Sequence, residues 1–153
     1  MEMEKTSQLK AFLKDLFSSQ RLAVLATQSK RQPYGNLVAF VAAKDLKYLL
    51  FATTRATRKY SNMTDNPRVA MVIDNRSNQE ADFHRAAAVT ATGVVEEVEG
   101  SEKKSLLKLY LSGHPYLKDF VSSAACALLK MNVETYVVVR QFQKVTKLHI
   151  RSG

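Results

Sequence analysis

Arg55, Arg58 and Lys59 place three cations within five residues, interrupted only by Ala56 and Thr57. From Arg58 to about Asp65 the chain reads as a short helix. Asn66-Pro67 stops it, since the residue before a proline avoids helical geometry. A helix start carries partial positive charge and unsatisfied N–H groups, so acids belong there and cations are mildly unfavourable. Here no acid occurs before Asp65. A bound anion would repair the mismatch: helix N–H groups, the Thr57 hydroxyl and two cations would converge on a phosphate. Arg58 would grip two oxygens at once, with Lys59 acting as a point charge. The competing reading is that these side chains splay into water, and charge alone does not separate the two.

The surrounding elements follow from periodicity. Leu9, Phe12, Leu13, Leu16 and Phe17 recur at helical spacing and predict an amphipathic helix, with Ser7 as its N-cap and Ser18-Ser19 as its end. Short β-rich runs follow at Leu22–Thr27, Leu37–Ala43 and Tyr48–Thr53, and after the short helix at Val69–Ile73 and Ala88–Val98. Gln28 to Gln32 with Pro33 reads as a turn. Leu37–Ala43 is apolar throughout and predicts a central strand covered on both faces. Gly100-Ser101 opens a helix carrying Leu106, Leu107, Leu109 and Tyr110, Gly113 closes it, and Pro115 opens another short helix. Ala127–Met131, Tyr136–Val139 and Lys147–Ile150 complete the strands. With no linker or repeat, residues 1–153 read as one α+β domain built on a small barrel of six or more mostly antiparallel strands.

A net charge of +9 points to an anionic partner. The few aromatic residues do not interleave with the cations as stacking platforms do, which argues against nucleic acid. The longest apolar run, Leu37–Ala43, falls far short of the roughly 20 residues a membrane-spanning helix needs. The acidic start Met1-Glu2-Met3-Glu4 does not resemble a secretory signal, so a cytoplasmic chain is expected. Cys126 lies in an apolar context and reads as a buried structural thiol. His84, His114 and His149 show no metal-ligand spacing, and His84 reads as a surface residue of the polar loop from Asp74 to Arg85. No Ser-His-Asp pattern or glycine-rich phosphate loop can be read.

Residues 50–73, LFATTRATRKYSNMTDNPRVAMVI, resemble the cofactor-binding segment of the pyridoxamine 5′-phosphate oxidase-like split-barrel family. Phe51, Thr53, Thr57, Arg58, Lys59, Asn66, Pro67, Arg68 and Val69 all fall at that family's spacing. The order of elements fits over roughly residues 8–150. The resemblance implies a split β-barrel that binds flavin mononucleotide (FMN). Thr57, Arg58 and Lys59 would hold its phosphate, with Thr54 or Arg55 nearby. Asn36, Leu37, Val38 and Ala39 would lie along the flavin, and Phe51, Ala52 and Thr53 would border the ring or ribityl chain. It also implies a two-fold homodimer with flavin near its interface, and a flavin-dependent oxidoreductase acting on a small-molecule redox substrate. A non-catalytic flavin or haem binder or sensor on the same barrel is the alternative, and a deazaflavin would satisfy the same phosphate grip. The B6 oxidases of the family carry an Arg and a Lys on the second strand; Asn36 to Ala42 carries no cation. Pyridoxamine 5′-phosphate is therefore not the expected substrate. The ending Lys147-Leu148-His149 matches their C-terminal Arg-x-His motif only in part.

Overall fold

Alternation along the strands decides what the barrel encloses. The computed structural model describes residues 1–141 and 143–151; residues 142 and 152–153, which fall within the expected single domain, lie outside the described residues. The strands are β1 (Leu22–Ser29), β2 (Gln32–Ala42), β3 (Tyr48–Thr54), β4 (Arg68–Asp74), β5 (Ala87–Glu97), β6 (Cys126–Arg140) and β7 (Lys144–His149). They pair in the order β3-β2-β1-β4-β5-β6-β7, every neighbour antiparallel. A further β3–β6 pairing closes the first six into a barrel and leaves β7 as an added edge strand. Every second residue turns inward: Ala23, Leu25 and Thr27 on β1, Val69, Met71 and Ile73 on β4, Ala87, Val89 and Ala91 on β5. The helices are α1 (Glu2–Ser19), α2 (Arg58–Asp65), α3 (Asp82–Arg85), α4 (Glu102–Gly113) and α5 (Lys118–Ser122). The result is a split β-barrel of the α+β class.

Helix α1 buries the apolar stripe at Leu9, Leu13, Leu16 and Phe17. The Phe17 ring packs edge-on against Phe40 at 6.0 Å and tilted against Tyr136 at 5.6 Å. The helix starts at Glu2 rather than after Ser7: nothing between them breaks a helix, and Glu2 and Glu4 suit the positive end of its dipole. The strand covered on both faces is β3, not Leu37–Ala43. Leu49 and Phe51 point into the barrel, while Leu50 and Ala52 point out under α4 and α5, against Leu106, Tyr110 and Val121. On β2, by contrast, Leu37 is 61% exposed. The β1–β2 connection is tighter than its polar composition suggests. Only Lys30 and Arg31 turn the chain, both at positive φ, and Pro33 already pairs with Gln28.

Ala127–Met131 and Tyr136–Val139, read from sequence as separate strands, are the two halves of β6. A bulge reconciles them. Thr92 faces Thr135 but Gly93 faces Val133, leaving Glu134 as the extra residue. Gly93 is required there, because a Cβ would lie 2.0 Å from the Asn132 carbonyl oxygen. Cys126 is buried as expected, and burial pushes its thiol pKa up, away from reactivity. Among the described residues no helix is long and apolar enough to cross a membrane.

Candidate functional site

The corner where β3 runs into α2 is built by threonine hydroxyls. Thr57 is the N-cap: its hydroxyl oxygen accepts the Tyr60 N–H at 3.3 Å. The same oxygen lies 3.0 Å from the Thr54 carbonyl and 2.9 Å from the Thr53 hydroxyl. Thr57 is thereby committed to the chain, so it shapes the corner rather than reaching outward. The Arg58 and Lys59 N–H groups precede the helix's own i to i−4 ladder and are the donors left at this end. Asn62 is buried and bolts α2 to β1, its amide donating to the Thr27 hydroxyl at 3.0 Å. Asn66 ends the helix and its side-chain oxygen takes the Arg68 N–H at 3.1 Å. Asp65, at the far end, accepts from the Ser29 hydroxyl at 2.6 Å and does not neutralise the start.

The three cations of the corner part company. Arg55 turns toward β5, where it pairs with Glu97 at 2.5 Å and donates to the Ala124 carbonyl at 2.9 Å. Tyr60 donates to the other oxygen of Glu97 at 2.6 Å. Burial alone would raise the Glu97 pKa, but the Tyr60 and Arg55 hydrogen bonds outweigh it and hold the carboxyl below its usual range. Arg58 and Lys59 have no acidic partner among the described residues. Arg58 lies over the Tyr34 ring at 4.8 Å. Lys59 is half-buried, and burial lowers its pKa. A partly desolvated ammonium with no counter-charge is a standing electrostatic cost that an anion would remove.

The other expected residues divide by face. Asn36 shares the inward side of β2 with Tyr34 and Val38, and its side-chain oxygen is buried without a hydrogen-bond partner among the described residues. Leu37 and Ala39 point out of the barrel. Phe51 and Thr53 are buried inside the barrel, and Ala52 is buried under the outer helices, so their side chains are walls rather than an open surface. Arg68 is an exposed cation paired with Glu134 at 3.0 Å, outside the α2 cluster. His84 is exposed in the Asp74 to Arg85 segment, where Asp82 accepts from the Ser77 and Asn78 N–H groups. His149 is exposed on β7 and contacts the Thr135 hydroxyl at 3.2 Å. Sequence reasoning missed Tyr34, although period two from Asn36 places it on the same face. It also missed Glu97, whose link to Arg55 spans 42 residues and leaves no local signal.

An all-antiparallel barrel closed by its third and sixth strands, with a helix start set against the end of the third, defines the split-barrel class. The family model described as pyridoxamine 5′-phosphate oxidase matches residues 8–140, and the chain belongs to that family. Solved structures agree in fold. A heme-binding protein from Mycobacterium smegmatis superposes with a TM-score of 0.77 at 18% identity, over 88% of this chain and 55% of that one. HutZ, the heme storage protein from Vibrio cholerae, gives 0.70 at 16% identity over 81% of this chain and 89% of that one. A FAD-binding protein from Mesorhizobium loti gives 0.68 at 18% identity over 84% and 90%. The chain thus spans little more than half the length of the mycobacterial protein. No curated protein sequence matches it.

Proposed function

We propose that this chain binds FMN with the phosphate on the first turn of α2, and that it serves as a cytoplasmic flavin-dependent oxidoreductase for a small-molecule substrate. The observation that carries the reading is the pair Arg58 and Lys59: two cations at a helix start, with the first-turn N–H groups beside them and no acidic partner among the described residues. A phosphate fits that donor set in charge and in hydrogen-bonding type. The unpartnered Asn36 oxygen, one inward position beyond Tyr34, adds an acceptor on the strand expected to lie along the flavin. When bound, the flavin would supply the electron-transfer chemistry. The chain's own part would be to grip the phosphate with Arg58 and Lys59, to fix the corner through Thr57, and to offer Asn36 to a donor of the cofactor. The test compares FMN with riboflavin by fluorescence titration. FMN is expected to bind more tightly, and equal dissociation constants would overturn the phosphate grip.

The proposal includes a two-fold dimer. The outward faces of β1, β2 and β4 present Leu22, Val24, Leu37, Ala39, Ala70 and Val72 side by side, with Leu22 53% and Leu37 61% exposed. A contiguous uncharged sheet face on so basic a chain is a surface suited to a second copy. Light scattering should find a dimer, and Leu37→Lys should shift it toward monomer. A wild-type monomer that still holds FMN would contradict this. A second reading, a haem binder on the same barrel, is favoured by the similarity to two proteins named for heme. The absorbance spectrum of the purified protein separates the two.

A further inference from the structure

We infer that the cleft between the end of α1, the end of β2 and the end of α4 is a binding site for a small apolar molecule carrying a carboxylate. It lies at the opposite end of β2 from Tyr34 and Arg58. Its volume is about 700 Å³, within the range of small-molecule sites. Phe17, Phe40, Val41 and Leu109 give its walls an apolar majority, beside the polar Ser18, Gln20 and Ser112. Lys14, Arg21 and Lys44 line its rim, and no Asp or Glu is among the described residues that line it. None of these three cations has an acidic partner among the described residues. An apolar hollow ringed by unneutralised cations selects a ligand with an apolar body and an anionic end.

One wall also carries an unfinished polar group. His114 is 2% exposed, and its Nε2 stands 2.8 Å from the Phe40 carbonyl oxygen. A carbonyl only accepts, so Nε2 bears a hydrogen, and the buried Nδ1 has no hydrogen-bond partner among the described residues. Buried polar atoms without partners are uncommon in a completed core. The cleft is preformed. Gly113 brings α4 so close to β2 that a Cβ would meet Val41 Cγ2 at 2.7 Å. On the far side Leu46 is held at φ 65°, its carbonyl accepting the Tyr136 hydroxyl at 2.7 Å. A cleft fixed in this way loses little freedom when a ligand enters.

The test titrates the full chain with naphthoate and with the corresponding neutral carboxamide, by calorimetry, while the His114 ring signals are followed by NMR. Naphthoate should bind at least about tenfold more tightly, the equivalent of about 1.4 kcal/mol, and should shift the His114 ring signals. The combined Lys14→Gln, Arg21→Gln and Lys44→Gln variant, altered only at exposed side chains, should lose that advantage. The Arg58→Ala, Lys59→Ala variant should keep it, which separates this cleft from the phosphate grip. Equal affinity for the two probes overturns the inference, as does no saturable binding at millimolar concentration. So does an advantage that survives in the triple variant or disappears with Arg58 and Lys59.

Discussion

Arg55 and the Arg58-Lys59 pair are two residues apart and sit on the same corner, yet they meet opposite fates. Arg55 faces the end of β5, finds Glu97 and Tyr60, and becomes part of the scaffold that ties the corner to the barrel wall. Arg58 faces away, over the Tyr34 ring, and neither it nor Lys59 has an acidic partner among the described residues. Residue type and local spacing are the same on both sides. What differs is the strand opposite, and that decides whether a cation holds the fold or is left available for the proposed phosphate grip.

The largest expected effect tests the waiting side. Replacing Arg58 and Lys59 together by Ala should weaken FMN binding by about two to four decades, since hydrogen bonds to charged groups contribute roughly 1.5–3 kcal/mol each. The fold should survive, because neither side chain is paired with an acid among the described residues. The measurement pairs an FMN titration with the melting temperature of the empty protein. A large drop in melting temperature with unchanged affinity would erase the distinction between the two sides.

Which side was legible in advance follows from distance along the chain. Everything in the waiting cluster except Tyr34 lies within the 17 residues from Phe51, which opens the aromatic-x-Thr strand end, to Pro67, so local rules suffice. The stripe from Leu9 to Phe17 was readable for the same reason. Arg55 also looked like a phosphate neighbour, because Glu97 reaches it only once the barrel closes. The same limit explains β6. Asn132 to Thr135 reads as a break, and only Gly93 on the neighbouring strand turns it into a bulge. It explains β2 as well: seven apolar residues announce burial, but α4 and α5 cover β3 and leave Leu37 bare.

A smaller effect tests the scaffold side. Glu97→Gln keeps the shape but removes the charge that Arg55 and Tyr60 share, and should cost about 1 kcal/mol at neutral pH. FMN affinity per folded molecule should hold. The pH dependence has a definite sign. The Glu97 carboxyl is depressed in the folded state, so its contribution is fully present above the unfolded carboxylate pKa of about 4.3 and is lost as pH falls through the folded value. The variant's stability should therefore fall less steeply on the acid side than the wild type's. Parallel acid limbs in urea melts would show that Glu97 is not an anchoring charge.

The smallest effect is the sharpest, because it asks for a gain. Lys59 is half-buried with its pKa lowered by desolvation, and it stands in the first turn of α2, where a cation opposes the helix dipole. A Lys whose folded pKa lies below its unfolded value disfavours folding at neutral pH, so its removal should help the empty protein. Lys59→Met keeps most of the apolar stem and discards the charge. The ligand-free variant should be more stable by a few tenths of a kcal/mol, the scale of a helix-dipole contact near the surface. FMN affinity should fall in the same variant. Opposite signs in the two measurements are what a ligand-binding cation produces. If Lys59→Met instead destabilises the empty protein, the ammonium belongs with Arg55 as scaffold, and the phosphate grip rests on Arg58 and the helix N–H groups alone.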